Sequence, residues 1–362
     1  MAEETTEPQD DLLARDAGAG EAIQQAPRAG TIVGLVVALA PDYFEVYAEG
    51  AIYLCRARGR LRKPLRTAPL RRGATPPSPA SSTPAMPQRP TRIVTGDRAR
   101  ITIRGPTEGV IEERLLRRNA LSRTRGEVET EQVMIANVDL AALVFAVREP
   151  EPRFDLLDRY LALCEQNSIA ALILFNKDDL GLDATIEDAV KLYTGLGYAT
   201  LLTSAREGTG LDALRARLVG RTSLLTGPSG VGKSSLMNAL LPEAEQRTGA
   251  VSEATGQGRH TTTGARLLPL PEGGWLADSA GIRELALWNA TPDELPRLFV
   301  ELRPVADDCE YEDCGHAEGE EGCALRAALA EGRITPARWA SFERLLAEAR
   351  ERERPAWATA RR

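Results

Sequence analysis

The segment from Gly227 to Ser234 reads GPSGVGKS and fits the pattern G-x-x-x-x-G-K-[ST] at every fixed position. The preceding residues, RTSLLT, read as a strand and the following SLMNALL as a helix, which is the context of a phosphate-binding loop. Its glycines let backbone N–H groups surround a phosphate, and the start of the helix adds its dipole. The alternative, a Gly-rich turn without a ligand, does not explain the flanking strand and helix.

Two residues of this segment have individual expected roles. Lys233 spans the β- and γ-phosphates of a nucleotide, and the Ser234 hydroxyl ligates Mg²⁺. We expect nucleotide contacts along the whole loop and from the residue after it: Gly227, Pro228, Ser229, Gly230, Val231, Gly232, Lys233, Ser234 and Ser235.

A base-reading motif lies earlier in the chain. Asn176-Lys177-Asp178-Asp179 fits N-K-x-D and follows the apolar run IAALILF directly. An Asp carboxylate accepts from both N1–H and the exocyclic amine of guanine, and adenine offers no such donor pair. A second strand, ATLLTSA, ends on Ser204-Ala205, a short motif expected at the guanine O6. The base-reading motifs thus precede the phosphate-binding loop, the reverse of the usual GTPase order, and a circularly permuted sheet explains this.

The segments after the phosphate-binding loop resemble nucleotide switches. Residues 249–264 contain GRHTTT, and a threonine there can ligate Mg²⁺ beside the γ-phosphate. The sequence does not choose among Thr261, Thr262 and Thr263, and we take Thr261 and Thr262 as the candidates. DSAG follows at residues 278–281, where Asp278 is expected in the Mg²⁺ shell and the Gly281 amide at the γ-phosphate.

The hydrolytic group is the least specified part of the pattern. Ile282 stands where many signalling GTPases carry a water-orienting Gln, and an isoleucine cannot orient water. His260 is the only histidine outside the cysteine cluster, and we interpret it as the water-positioning group or base. The alternative is a loop histidine that contacts phosphate or RNA.

Three of the five cysteines surround the other histidine in the pattern Cys309-x₄-Cys314-x-His316-x₆-Cys323. Three thiolates and one imidazole suit a closed, tetrahedral, structural zinc site. Free thiols are the alternative.

Composition and charge indicate the class of protein and its kind of partner. The acidic start and the absence of a long apolar run favour a cytoplasmic protein without a membrane segment. Residues 51–126 carry 18 Lys/Arg and four Asp/Glu, although the net charge of the chain is −7, so this region can attract a polyanion.

Periodicity predicts a disordered acidic tail (1–29), a small β-barrel (30–108) with a Pro/Arg-rich insertion (about 63–90), a P-loop α/β domain (109–290) and a helical zinc-binding domain (291–362).

The chain resembles the RsgA family, the circularly permuted GTPases of small-ribosomal-subunit biogenesis. The resemblance runs from about residue 30 to about residue 348 and is carried by NKDD, GPSGVGKSSLMN, GRHTTT and CEYEDCGHAEGEEGCALRAAL. It implies an N-terminal OB-fold barrel, a central permuted GTPase domain and a C-terminal zinc domain. It also implies late maturation of the small subunit, with rRNA bound through the basic barrel and GTP hydrolysis stimulated by the subunit. DSAG departs from the family's usual D-T-P-G.

Two other functional classes share parts of this pattern. A signalling or trafficking GTPase needs neither a basic barrel nor a zinc module. An RNA-binding scaffold that holds GTP without hydrolysing it agrees with Ile282, and a turnover assay separates it from an enzyme. We expect a monomeric switch that binds GTP and GDP.

Overall fold

The computed structural model describes residues 30–62, 92–125, 130–241, 265–277 and 290–353. They form a β-barrel, a two-stranded sheet, a six-stranded sheet with helices on both faces, and a C-terminal helical region. The expected tail (1–29) and insertion (63–90) lie outside the described residues. So do five of the predicted site residues: His260, Thr261, Thr262, Asp278 and Gly281.

The N-terminal barrel closes in the order β1-β2-β3-β5-β4, with β4 pairing back to β1. The strands are β1 (Ile32–Leu39), β2 (Phe44–Ala48), β3 (Ala51–Ala57), β4 (Arg98–Ile103) and β5 (Glu108–Arg114), and a one-turn helix, α1 (Gly59–Arg62), follows β3. The β3–β5 pair is parallel and the other pairs are antiparallel. Alternate side chains point inward, so Val36, Val46, Cys55, Ile101 and Ile111 fill the barrel. This strand order is that of the predicted OB fold.

The last barrel strand extends beyond the boundary expected at residue 108. β5 begins at Glu108 and runs to Arg114, and it pairs with both β3 and β4. The barrel therefore reaches at least Arg114. Apolar patterning predicts the strands of a barrel but does not show where the last of them ends.

A two-stranded antiparallel sheet connects the barrel to the larger sheet. It pairs β6 (Ala120–Arg125) with β7 (Thr130–Ala136). β7 lies within the stretch expected to form the α/β domain (109–290), but it does not enter the six-stranded sheet. It instead meets the barrel through a bridge between Ile135 and Thr95, where the Ala136 amide donates to the Thr95 carbonyl at 3.0 Å.

The central sheet has the order β10-β9-β8-β11-β13-β12, parallel except for the edge strand β12. Its strands are β8 (Leu140–Ala146), β9 (Ala170–Asn176), β10 (Ala199–Thr203), β11 (Thr222–Thr226), β12 (Leu267–Pro269) and β13 (Trp275–Ala277). Its helices are α2 (Phe154–Gln166), α3 (Ala184–Gly195), α4 (Leu211–Leu218) and α5 (Lys233–Leu240). Every residue of β8 is buried, as expected for a strand covered on both faces.

The two faces of the sheet contribute to separate cores. Leu143 and Phe145 of β8 pack into a core with α2 and α3, and Val144 and Ala146 face the core that holds α4 and α5. The first core continues into the C-terminal region, whose helices are α6 (Ala324–Ala330) and α7 (Pro336–Glu353). Among the helices in the described ranges, none is long and apolar enough to cross a bilayer.

A buried ion network joins the C-terminal region to the central domain. Arg338 of α7 is 2% exposed and donates to Asp158 of α2 at 2.7 Å. It also makes two bonds to Glu301, at 2.6 and 2.8 Å. The Tyr193 hydroxyl donates to the same Asp158 oxygen at 2.7 Å, and burial together with the nearby Asp158 charge raises the Tyr193 pKa. The guanidinium also lies over the Phe299 ring.

We expect Arg338→Met to lower the free energy of unfolding by about 3–5 kcal/mol, because it leaves two carboxylates buried without a cation. Denaturant titration of the full chain measures the change. Arg344→Met is the matched control on the same helix. Arg344 pairs with Asp155 at 2.6 Å but is 54% exposed, so its loss costs about 1 kcal/mol or less. Equal unfolding midpoints for the two variants would contradict the expectation.

Candidate nucleotide site and metal centre

Glycine conformation shapes the loop between β11 and α5. Gly227 has φ +147°, and a Cβ atom there would lie 2.1 Å from the Val144 carbonyl oxygen. Gly232 has φ +94°, and a Cβ atom there would lie 2.3 Å from Nδ2 of Asn176. Side chains at either position would collide with neighbouring strand ends. The loop therefore lies directly against the ends of β8 and β9.

The first residues of α5 complete this loop. The Lys233 ammonium donates to the Gly227 carbonyl at 2.8 Å and also to the Pro228 carbonyl. The ammonium therefore lies over the first two residues of the loop. Ser234 and Ser235 follow in the first turn and are exposed. This places a cation, a hydroxyl and a helix N-terminus beside one another, as phosphate and Mg²⁺ require.

The side chain of Asn176 links three segments of the site. It is 1% exposed, and its amide nitrogen donates to the Val231 carbonyl at 2.8 Å. Its oxygen accepts from the Thr203 hydroxyl at 3.2 Å and the Ala205 amide at 3.4 Å. The ends of β9 and β10 are thereby joined to the phosphate-binding loop, so the structure brings these predicted site residues together.

The carboxylate of Asp179 is held in a defined orientation. The Ser204 hydroxyl is buried and donates to Asp179 Oδ1 at 2.6 Å. Arg206 lies 3.9 Å from the other carboxylate oxygen, but its side chain is 83% exposed, so this pair holds the carboxylate weakly. Asp178 begins a short 3-10 turn with Asp179. The site thus presents one oriented acceptor group at the end of β9, as guanine requires.

Two contributors to the site were missed from the sequence. Thr203 pairs with Asn176 in the parallel register of β10 and β9, and its hydroxyl bonds to that residue. The alignment of the two strand ends could have identified it. The Glu149 carbonyl accepts from the Lys177 ammonium. A backbone carbonyl carries no sequence signal, so only the fold reveals this contact.

The predicted cysteine–histidine cluster is assembled in the C-terminal region. The ligand atoms of Cys309, Cys314, His316 and Cys323 all lie within 4.8 Å of one another. The three sulfurs are 3.7, 3.4 and 3.5 Å from Nδ1 of His316. A tetrahedral zinc ion with ordinary bond lengths places sulfur and nitrogen about 3.6 Å apart. The four residues therefore fit a divalent metal ion.

Neighbouring groups hold the cluster in its geometry. Glu320 accepts from the amides of Gly315 and Ala317, both at 2.7 Å, and so fixes the loop around His316. Burial lowers the pKa of His316, which keeps its ring neutral and able to ligate. Burial and the adjacent thiols raise the pKa of Cys314 to about 12. A bound cation would favour the thiolate form.

Comparison with known proteins agrees with this architecture. The family model for the RsgA GTPase matches residues 114–288. The small ribosomal subunit biogenesis GTPase RsgA of Moorella thermoacetica is 40% identical over 86% of this chain and 95% of its own length. The protein of the same name from Azotobacter vinelandii is 45% identical over 72% of this chain and 76% of its own. This chain belongs to the RsgA GTPase family.

Solved structures of related proteins share the fold. YjeQ from Thermotoga maritima superposes with a TM-score of 0.67 at 30% identity, covering 88% of this chain and 98% of its own. YloQ, described as a circularly permuted GTPase, gives a TM-score of 0.65 at 25% identity over 91% of this chain and 100% of its own. Membership of the RsgA family makes the chain a GTPase, and the predicted permuted motif order is thereby confirmed.

We expect Asp179→Asn to weaken GDP binding about tenfold or more, because an amide cannot accept from both guanine donors. Its N–H group can instead donate to the C2 carbonyl of xanthine, so the variant should bind the xanthosine nucleotide more tightly than the wild type does. Fluorescence titration with GDP and with the xanthosine nucleotide measures the two affinities. Asp188→Asn, on the exposed face of α3, is the control and should change neither affinity. Unaltered guanine preference in Asp179→Asn would refute this base assignment.

Proposed function

We propose that this RsgA-family GTPase is a late-stage maturation factor of the small ribosomal subunit, binds rRNA through its barrel, and is stimulated by the subunit to hydrolyse GTP. One observation carries the proposal. The base-reading and phosphate-binding segments meet at one edge of a permuted sheet, between a closed barrel and a Cys₃His region. The relatives from Moorella thermoacetica and Azotobacter vinelandii are named for small-subunit biogenesis.

In this proposal different described residues contact the base, the phosphates and Mg²⁺. Asp179 accepts from the guanine base, and the Ala205 amide lies at its O6. The loop from Gly227 to Gly232 surrounds the phosphates, Lys233 neutralises the β- and γ-phosphate oxygens, and Ser234 ligates Mg²⁺. The contacts made by Asn176 support this division, because they hold the base-reading and phosphate-binding segments at a fixed separation.

The remaining nucleotide contacts are assigned by sequence position. Asp278 holds the Mg²⁺ shell, the Gly281 amide meets the γ-phosphate, and Thr261 or Thr262 supplies a second hydroxyl to Mg²⁺. His260 positions the attacking water. Ile282 leaves its own position without a polar group for that task.

We expect His260→Ala to lower the hydrolysis rate about a hundredfold at saturating GTP, the scale of a lost general base or water-positioning group. Nucleotide affinity should stay within twofold, since the base and phosphate segments are intact. Single-turnover phosphate release measures the rate. His260→Gln is the matched variant, because a glutamine amide can still orient water and should retain part of the activity. Wild-type turnover in His260→Ala would remove this histidine from the mechanism.

The metal of the Cys₃His cluster is proposed to be one structural zinc ion. Three thiolates and an imidazole provide four protein ligands, which leaves no open position for a substrate. The ligand spacing supports this assignment. Zinc would hold the segment 309–323 against α6, since the Cys323 sulfur also accepts from the Arg326 amide at the start of that helix.

The charge pattern supports a polyanionic partner. The 18 Lys/Arg and four Asp/Glu of residues 51–126 belong to a stretch of sequence that includes the barrel strands β3, β4 and β5, and OB folds bind nucleic acid. We therefore propose rRNA as the partner of the barrel. The factor would act as a monomer in the cytoplasm, where its ribosomal partner is assembled.

The decisive measurement is GTP turnover alone, with added small subunits and with added large subunits, at moderate salt. We expect stimulation of at least tenfold by the small subunit only, with a stimulation that falls as salt weakens the contact with RNA. Turnover unaffected by either subunit would leave the GTPase intact and disprove the ribosomal role. Stimulation by the large subunit would assign a different partner.

A further inference from the structure

The edge hairpin, which we define as residues 265–277 with strands β12 and β13, lies between the two predicted switch segments. In the sequence, residues 249–264 end immediately before Ala265, and Asp278 immediately follows Ala277. Leu267 pairs with Ala277 across the hairpin. The edge hairpin therefore fixes the point where the first predicted switch ends and the point where the second begins.

Three barrel residues hold this hairpin. The Thr95 hydroxyl donates to the Ala265 carbonyl at 2.6 Å, and the Arg266 guanidinium donates to Glu45 at 3.0 Å. The Tyr47 ring packs edge-on against Trp275, with 4.9 Å between centroids. These contacts engage both strands or their immediate flanks, so the barrel fixes the hairpin along its length.

The backbone around Thr95 is held by both the barrel and β7, since the amide of the next residue, Gly96, donates to the Val36 carbonyl of barrel strand β1 at 2.8 Å. Thr95 is fully buried, and its carbonyl accepts from the Ala136 amide at 3.0 Å. The next residue, Gly96, lies so close to the Ala136 carbonyl that an added Cβ atom would be 2.0 Å from its oxygen. Because the backbone is close-packed here, a shift of the barrel must move the Thr95 hydroxyl and the carbonyl it binds.

We propose that Thr95, Glu45 and Tyr47 are positioning residues for GTP hydrolysis, acting through the edge hairpin on the ends of both predicted switches. When the barrel docks on its partner, a change in the barrel would then reach the hydrolytic groups through the edge hairpin. It would not have to be transmitted through the base-reading end of the sheet. This inference rests on the proposed function for its physiological trigger. The positioning itself also acts on the intrinsic reaction, because reacting groups held loosely react more slowly.

The test compares Thr95→Val, which removes the hydroxyl and keeps the shape, with the wild type in intrinsic and subunit-stimulated turnover. We expect kcat to fall at least fivefold in both assays, with the affinity for GTP within twofold. Thr102→Val is the matched control. Its hydroxyl bonds within the barrel, to Glu112 at 3.1 Å, so its kcat should equal that of the wild type.

Reversing the two charges of the Glu45–Arg266 ion pair provides a second test, which does not require that Thr95→Val folds. Glu45→Arg and Arg266→Glu should each lower kcat about two- to threefold, and the double variant should restore it, because the ion pair is reformed with reversed polarity. Both side chains are partly exposed, so these variants decide the question should Thr95→Val not fold.

The outcomes separate the two proposals. Wild-type kcat in Thr95→Val, or no rescue in the double charge variant, overturns the inference and leaves the ribosomal role standing. A wild type that small subunits do not stimulate disproves the ribosomal role, and intrinsic kcat still tests the inference. Reduced GTP affinity at unchanged kcat would also overturn it, since that result reports a loss of ground-state binding and not of the positioning of hydrolytic groups.

Discussion

The buried amide of Asn176 is the interaction on which the nucleotide site depends. Its nitrogen has one acceptor, on the phosphate-binding loop, and its oxygen has two donors, at the end of β10. Leaving any of these groups without a partner in the interior costs about 1–3 kcal/mol. The three loops consequently adopt one relative arrangement. A single buried side chain thus fixes the separation between the predicted base-reading and phosphate-binding segments.

Because hydrogen bonds between strands set the order of the sheet, the chain can enter it at a different point without changing the site. Here it enters at β8, after the barrel, and leaves after β13, before the C-terminal region. Both flanking regions meet on one face of the sheet. Val37 of the barrel, Phe145 of β8 and Phe342 of α7 belong to one continuous core. The permuted order therefore places both flanking regions beside the strands whose ends form the candidate nucleotide site.

The sequence predicted most of what depends on local pattern. The apolar run ending at Asn176 located β9 and the edge of the sheet where the site forms, because polar residues at a buried strand's end mark its exposed edge. The Cys/His spacing located the metal ligands for a similar reason, since all four lie within fifteen residues. Periodicity predicted the small β-barrel, although it did not show that the last strand continues to Arg114.

Long-range pairing could not be predicted in the same way. Arg338 lies in α7, a helix rich in charged residues, yet it is buried against Asp158, 180 positions earlier. Thr95 bonds to Ala265 across 170 positions. A single polar residue has many possible partners, and only the packed arrangement of elements selects one. Both contacts join different domains. The sequence pattern of one helix or strand indicates little about contacts of that kind.

The C-terminal region owes its order to such contacts more than to a core of its own. Its described part spans only residues 290–353, a length at which few apolar side chains can be shielded from water. The Cys₃His cluster supplies one local constraint. Phe299, Trp339 and Phe342 supply a small aromatic core that merges with α2. Arg338 then adds a requirement that hydrophobic packing alone does not impose, since only one docking of α7 brings its guanidinium to both carboxylates. The buried ion network thus selects one orientation of the metal module on the GTPase domain, and a rigid connection of this kind lets a contact at the metal module act on the domain as a whole.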